Sequence, residues 1–367
     1  MRSPKTVLLL RLLFLALAVL PAGSPGAAAE ESGVSLQMVP IADGVYQFIT
    51  APDGYVPNGN SVVIVNDADV LVFDTFTRPS TARRLVAEIG KITNKPVRCV
   101  VNSHWHPDHW SGNEVFAKEF PGVEILASEE TARLMRNTGN AWPELLTVNL
   151  RKSEAAFETE RTTRKAADGS ALTDEEIRKD ENELRLEREF TAEALTVRRT
   201  FPTATYADTL TLRRGAREFR LMSVVGDARG STVLYLPNEK ILITGDVVSY
   251  PVPYFTPPLS EHAKTLRRLA ALDTAVIIPG HGPAWRDKDY VNLEADLFES
   301  VVRQVTAAVQ KGLFTEEEIK KTVDVEPLRE KFTHGDRELD AKYRRYVGRM
   351  IENACREARD GKIWTGS

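Results

Sequence analysis

The sequence predicts an α/β fold in which two β-sheets pack between helical layers. Three observations carry that prediction. Short β-rich runs separated by turn residues occupy residues 34–127, and a second set occupies residues 209–246. Around each set, strands precede and follow a segment of helical period. Between the two, residues 151–190 hold 21 charged residues in 40, against 27% charged in the whole chain, which marks an exposed insert.

Taken in order, Arg2 and Lys5 precede a Leu-rich stretch whose unbroken apolar run, residues 12–20, stops at Pro21. That run suits the apolar region of a signal peptide and falls short of the roughly 18 to 20 residues of a membrane-spanning helix. Ala27-Ala28-Ala29 before Glu30 gives an A-x-A cleavage site. Residues 1–29 are therefore expected to be a secretory signal, and the mature chain is expected to be periplasmic or extracellular with no membrane span. Residues 62–65 and 70–73 flank Asn66-Asp67-Ala68-Asp69 and read as a hairpin. Ser80 is expected to cap a helix carrying Leu85, Val86 and Ile89, and the chain returns as a strand at 97–101. In the second block the clearest strands are 219–225, 232–236 and 241–244, followed by a helix near 261–272 and a strand at 276–278.

Within the charged insert, about 130–200, Thr173-Asp174-Glu175-Glu176 is a capping box with Leu172 and Ile177 as a hydrophobic staple. The insert is expected to be exposed helices, a lid over the site or a solvated linker. Thr315-Glu316-Glu317-Glu318 repeats the box, with Phe314 and Ile319 as the staple. Leu339, Tyr343, Val347, Met350, Ala354 and Ala358 form one apolar stripe at helical spacing, with Gly361 as its C-terminal cap. Residues 291–367 thus read as a C-terminal helical extension.

Composition excludes several function classes. With 48 Lys+Arg against 52 Asp+Glu, the net charge of -4 leaves no basic surplus for a nucleic-acid backbone. The 42% hydrophobic content rules out a disordered chain. Two cysteines cannot build a disulfide framework or a four-thiolate metal site. Cys99 falls in a strand and Cys355 in a helix, so two separate buried thiols are expected.

Histidine is the informative residue type, because four of six copies fall in two short motifs. His104-Trp105-His106-Pro107-Asp108-His109 follows the strand at 97–101 directly. A turn off a strand end converges alternate side chains, so His104 and His106 can reach one metal while Asp108 and His109 reach a second position. Imidazole and carboxylate donors suit zinc, with manganese and iron as rivals. Three histidines and an aspartate in six residues have no packing rationale, since each buried polar group would need a partner. Trp105 and Trp110, flanking the ligands, are expected to pack beneath the site, and His262 and His334 to be surface or satisfied core residues.

In these residues the chain resembles the metallo-β-lactamase superfamily, whose HxHxDH motif they match in full. The resemblance covers roughly residues 36–290, so 30–290 is the domain it implies. Asp74 ends an early strand as the family's strand aspartate does. Thr244-Gly245-Asp246 resembles the family's Gly-Asp step, whose aspartate bridges two metals, and Pro279-Gly280-His281-Gly282 resembles the late Gly-His motif that completes the second site. The implied fold is a four-layer αβ/βα sandwich with the metals at the edge of the two sheets.

One departure stands out. The family supplies a third histidine to the first metal about ten residues before the Pro that ends the next strand, and counting back from Pro237 reaches Asp227. No histidine exists between His109 and His262. Either Asp227 ligates the first metal or that site is incomplete. A third carboxylate beside Asp108 and Asp246 brings the first shell of two zinc ions and one hydroxide to zero net charge, which weakens the Lewis acid or favours a single metal held by Asp108, His109 and His281.

With the expected leader, the resemblance implies an exported hydrolase that uses one or two Zn2+ (Mn or Fe as alternatives) and a metal-bound hydroxide. Asp108 and Asp246 are its catalytic residues. The substrate class would be a lactam, lactone, ester or thioester, or phosphodiester. Tyr250 and Tyr254, in a Pro-stiffened turn, are expected to wall the site with the loop at 55–60, and Arg229 to face an anionic substrate or pair with Asp227. Two further readings are an iron-dependent sulfur oxidoreductase of the same fold and a metal-binding protein with little catalysis.

Overall fold

The computed structural model describes residues 35–50, 58–139, 142–166, 169–254, 258–313 and 315–360. The expected leader at 1–29, residues 55–57 of the expected wall, Phe314 and Gly361 lie outside the described residues.

Seven strands form the first sheet in sequence order: β1 (Leu36–Ala42), β2 (Val45–Thr50), β3 (Ser61–Val65), β4 (Val70–Phe73), β5 (Val97–Val101), β6 (Glu124–Ser128) and β7 (Ala204–Tyr206). The first four pair antiparallel and the last four parallel. The expected hairpin is β3–β4, closed by Asn66 N–H to Asp69 O at 2.8 Å and by Asn66 Nδ2 to Asp69 Oδ1 at 2.8 Å. A second sheet runs β12-β11-β10-β9-β8, from β8 (Thr209–Arg214), β9 (Arg217–Val225), β10 (Arg229–Leu236), β11 (Ile241–Gly245) and β12 (Val276–Pro279). It is antiparallel except for the β11–β12 pair.

Three apolar clusters separate four layers. Val62, Ile64, Leu71 and Phe73 of the first sheet meet Leu221, Leu234, Ile243 and Ile278 of the second. The alternate residues Val63, Val70 and Val72 face outward to α1 (Pro79–Ile92), and Val115 and Phe116 of α3 (Asn113–Glu119) join them there. Strands covered on both faces carry no polar alternation, which is why β3 and β4 read as near-continuous apolar runs, whereas β5 exposes Arg98. Between α1 and α3, β5 leads into the one-turn α2 (Pro107–Trp110).

Helix α1 departs from the expected cap. Arg78 is its N-cap and Pro79 opens it, the position where a missing N–H costs nothing. Ser80 lies inside the helix, and its free N–H donates to Glu193 at 2.8 Å. Glu193 belongs to the insert, whose described residues form three helices, α4 (Glu129–Asn137), α5 (Trp142–Thr163) and α6 (Asp174–Ala194), joined by non-helical connections, one with a Lys165–Ala171 β-bridge, and with the Thr173 capping box closed as expected. Only one face of α6, Leu184, Glu187, Phe190, Thr191 and Ala194, is buried.

Helices α7 (Leu259–Ala270), α8 (Asp289–Gln310), α9 (Glu316–Lys320), α10 (Glu326–Thr333) and α11 (Arg337–Asp360) complete the fold. The stripe residues Tyr343, Val347, Met350 and Ala354 join Leu266, Phe298, Val233 and Ile277 in one cluster on the outer face of the second sheet. The C-terminal helices are therefore part of the fourth layer. Cys99 and Cys355 are free, buried thiols in different clusters.

Candidate metal centre

Every site residue stands in the segment that leaves a strand end: Asp74 after β4, His104 and His106 after β5 with Asp108 and His109 in the one-turn α2 that follows, Asp227 between β9 and β10, Asp246 after β11 and His281 after β12. Local hydrogen bonds hold these loops. Asn102 and Asn113 exchange side-chain amide bonds at 3.0 and 2.8 Å across the His turn. Asn60 Nδ2 donates to Pro279 O and Gly282 O at 2.9 and 2.7 Å, fixing the loop of His281. Gly280 leaves room for Asp246: a Cβ there would lie 2.0 Å from Asp246 Oδ1.

The loops gather two groups, His104, His106, Asp227 and Asp246, and Asp108, His109, Asp246 and His281, each with one ligand atom per residue within 4.8 Å of the others. Asp246 belongs to both. In the first, Asp227 Oδ2 stands 3.3 Å from both His104 Nε2 and His106 Nδ1, and Asp246 Oδ2 is 3.8 Å from His104 Nε2. In the second, Asp108 Oδ2 is 3.3 Å from His109 Nε2 and from His281 Nε2, while Asp246 lies 3.4 Å from each ring. Four donors at about 2.0–2.1 Å from one ion stand roughly 3.4 Å apart along a tetrahedral edge. The spacings match that edge.

The polar atoms on these edges lack other partners. His104 Nε2, His109 Nε2, Asp227 Oδ2 and Asp246 Oδ1 are buried without a hydrogen bond. Each such atom costs about 1–3 kcal/mol in a dry interior, and a divalent cation relieves all of them at once. The donor set, imidazole and carboxylate with no thiolate, fits such an ion. Behind the ligands, Asp74 accepts from Ser103 N–H and Ser103 Oγ, both at 2.7 Å, and meets His109 Nδ1 at 2.8 Å. Ser103 Oγ also lies 2.9 Å from His104 Nδ1. Second partners of this kind turn a ring nitrogen toward a metal.

Asp227 is not exposed as a turn cap would be. Its side chain is fully buried, Ser231 Oγ donates to Oδ1 at 3.1 Å, and Oδ2 is left facing the two histidines. The open side of the site is formed instead by His106, His281, Asp108 and Asp246, whose side chains are 20%, 20%, 18% and 13% exposed.

The two groups differ electrostatically. In the second, burial opposes the charged form of His281, but Asp246 and Asp108 outweigh it and raise the ring to about 10. Burial likewise opposes charge on His109, and Asp108, Asp246 and Asp74 hold it well above the ordinary histidine range. Asp108 and Asp246 are kept low despite burial by those same rings. In the first group, burial and the neighbouring His109 and His106 push His104 down, and burial, then Asp246, pushes Asp227 up. Two protonated rings thus neutralise the second group.

The sequence profile of the metallo-beta-lactamase superfamily matches residues 54–281, which spans every residue of both groups. The chain belongs to the metallo-beta-lactamase superfamily. A linear primary-alkylsulfatase from Pseudomonas sp. is 26% identical over 270 residues, 69% of this chain and 47% of the relative. Among solved structures, the inverting sec-alkylsulfatase Pisa1 from Pseudomonas sp. superposes with a TM-score of 0.57 at 18% identity, covering 88% of this chain and 50% of the other. A metallo-beta-lactamase from Pontibacter korlensis gives 0.50 at 18% identity over 72% of this chain and 99% of the other. The chain spans about half the length of the alkylsulfatases it matches.

Within this superfamily frame the other expected residues separate. Tyr254 stands at the rim, its ring 6.2 Å from that of His106 and 5.3 Å from Tyr346 on α11. Tyr250 packs on Trp285 and Tyr290. Arg229 heads β10, and its charge, after that of Arg133, lowers the Glu130 carboxyl. Trp110 is buried beneath the site as expected and donates from Nε1 to Trp105 O at 2.9 Å. Trp105 is half-buried on the rim, 4.5 Å from the His106 ring, so it does not share that packing role. His262 is a core residue on α7 that is only half satisfied, because Nε2 meets Val247 O while Nδ1 is buried without a partner. Sequence reasoning missed Ser103, Tyr290, Glu294 and Tyr346. Glu294 had a signal: it interrupts an apolar helical face at Val291, Ala295 and Phe298.

Proposed function

We propose that the chain is a metal-dependent hydrolase with two divalent ions, most naturally zinc, and that its substrate is a sulfate ester carrying an alkyl group. The single observation that carries the metal reading is the pair of four-residue groups that share Asp246. The sulfate ester rests on the named activity of the relative that matches in sequence. The aromatic rim of Trp105, Tyr254 and Tyr346 offers apolar surface for an alkyl chain.

His104, His106 and Asp227 would hold one ion, Asp108, His109 and His281 the other, and Asp246 both. Bound ions would supply a Lewis acid for the ester oxygens and a lowered pKa for water. The chain's own residues do the rest. Asp246 fixes the spacing of the two positions, and Asp74 keeps the His109 proton on Nδ1 so that Nε2 faces the site. The ester reaches the exposed side formed by His106, Asp108 and His281. Asp108 would take the proton of the attacking water on Oδ1, since its Oδ2 faces both rings, and return it to the departing oxygen as the ester bond breaks, so that ester and water become an alcohol and hydrogen sulfate. Tyr254 and Trp105 orient the organic part. We further propose export after cleavage at Ala29, which the mass of the secreted chain tests.

The test is sulfate release from dodecyl sulfate and a secondary alkyl sulfate, run beside a chromogenic lactam, a lactone and a phosphodiester with metal-loaded protein. Turnover of an alkyl sulfate that is lost in His106→Ala and in His281→Ala is the expected result. Turnover confined to another substrate refutes the sulfate ester. Bound iron with oxygen uptake and no hydrolysis refutes the hydrolase.

A further inference from the structure

Residues 246–254 leave β11 with Asp246 and end at the rim with Tyr254, pairing with neither sheet. Buried backbone outside a sheet needs partners from side chains. Three side chains of α7 and α8 provide them. Tyr290 Oη donates to Ser249 O at 2.8 Å and lies 3.0 Å from Pro251 O. One helical turn further on, both Glu294 carboxylate oxygens stand 3.3 Å from Ser249 N–H. His262 Nε2 donates to Val247 O at 2.8 Å.

The Ser249 peptide is thus gripped on its N–H and C=O sides by residues four apart on one helix. Ser249 passes this position on: its Oγ lies 3.2 Å from Asp246 O and 2.7 Å from Tyr254 O. The same segment touches Asp227 through Gly226, where a Cβ would fall 2.7 Å from Val247 Cγ2. Fully buried Glu294 sits among Val291, Ala295 and Phe298, where a leucine would pack without the cost of a buried carboxyl. That cost points to the Ser249 contact as its purpose.

We propose that Glu294 and Tyr290 are positioning residues of the metal centre. They set the Ser249 peptide, and through it the Asp246 carboxylate that both metal positions share and the Tyr254 ring at the rim. The inference rests on the metal reading above but not on the choice of substrate.

The full chain is loaded with cobalt, and bound Co2+, its visible spectrum, Tm and alkyl-sulfate kinetics are compared across Glu294→Leu, Glu294→Gln and Tyr290→Phe. Glu294→Leu keeps the volume and loses the acceptor. It is expected to stay folded, to bind cobalt about 10- to 100-fold more weakly with an altered spectrum, and to lose kcat more than KM. Glu294→Gln, whose amide oxygen still accepts from Ser249, is expected to restore affinity to within about twofold, as its contact geometry is kept. A Glu294→Leu chain with lowered Tm but wild-type cobalt affinity and spectrum overturns the proposal, because packing alone would then explain the residue. Should Glu294→Leu not fold, Tyr290→Phe decides: weakened cobalt binding supports the proposal and unchanged binding overturns it. Cobalt readouts stand even if no alkyl sulfate is turned over, so the two readings fail separately.

Discussion

Asp74 Oδ2 stands 2.8 Å from His109 Nδ1, at the centre of a carboxylate that also accepts both donors of Ser103. A carboxylate only accepts, so a neutral His109 carries its proton on Nδ1 and presents Nε2 to Asp108 and Asp246. Replacing Asp74 by Asn puts a donor-bearing amide into this set. Asp74→Asn is expected to weaken the second metal position by about 10- to 100-fold. Chelator competition measures this, and wild-type affinity would remove Asp74 from the account.

Gly280 tests the bridge from the other side. Its missing Cβ makes room for Asp246 Oδ1 and for the Gly245 carbonyl carbon, at 2.0 and 2.7 Å from where the Cβ would be. The second neighbour is backbone and cannot swing away. Gly280→Ala is expected to cost about 1–3 kcal/mol and to lower bound metal at both positions. A lowered Tm with full metal content would show that Asp246 adapts.

Protons and metal compete for the second group. In the metal-free chain His281 is raised to about 10 and His109 well above its ordinary range, so both rings are charged at neutral pH. Binding must displace those protons, and apparent affinity rises with pH until about 10. The sign for folding is the reverse. Stability from a raised histidine is full below its unfolded value near 6.5 and lost as pH rises through the folded one. Metal-free protein should therefore lose Tm between about pH 7 and pH 10. Calorimetric titrations in two buffers of different ionisation heat should show proton release on zinc binding at pH 7.5; a buffer-independent heat would count against this.

Met350 lies fully buried in the cluster that joins α11 to α7, α8 and the second sheet. Met350→Ala is expected to destabilise the chain by about 2–5 kcal/mol while metal stoichiometry holds. An unchanged Tm would mean that α11 is an appendage.

Burial pushes the Cys99 thiol up to about 12 and raises Cys355 as well. Neither should react with a thiol reagent at pH 8 until the chain unfolds, when both should. Fast labelling of the native chain would contradict the burial of these two strand and helix positions.

Much of this architecture was legible in the sequence, for physical reasons. Strands buried on both faces, such as β3 and β4, leave apolar runs, and capping boxes at Thr173 and Thr315 announce helix starts. The helix that opens at Pro79 is capped two residues before the expected Ser80, because Pro at the first position and Ser one step later carry competing start signals. The candidate ligands stand out in the sequence because a histidine-rich turn has no packing use. Asp227 could be located only by counting, and its burial against His104 and His106 is a fact of folding. The grip of Tyr290 and Glu294 on Ser249 joins residues more than forty positions apart, which no local pattern reports.

Asp227, 3.3 Å from both His104 and His106, is proposed to complete the first of two metal positions. Zinc bound per chain, measured by elemental analysis after exhaustive dialysis, tests it most directly in wild type and in Asp227→Ala. The account predicts two equivalents in the wild type and one in the variant, lost from the position of His104 and His106. One equivalent in the wild type, or two in Asp227→Ala, would contradict it.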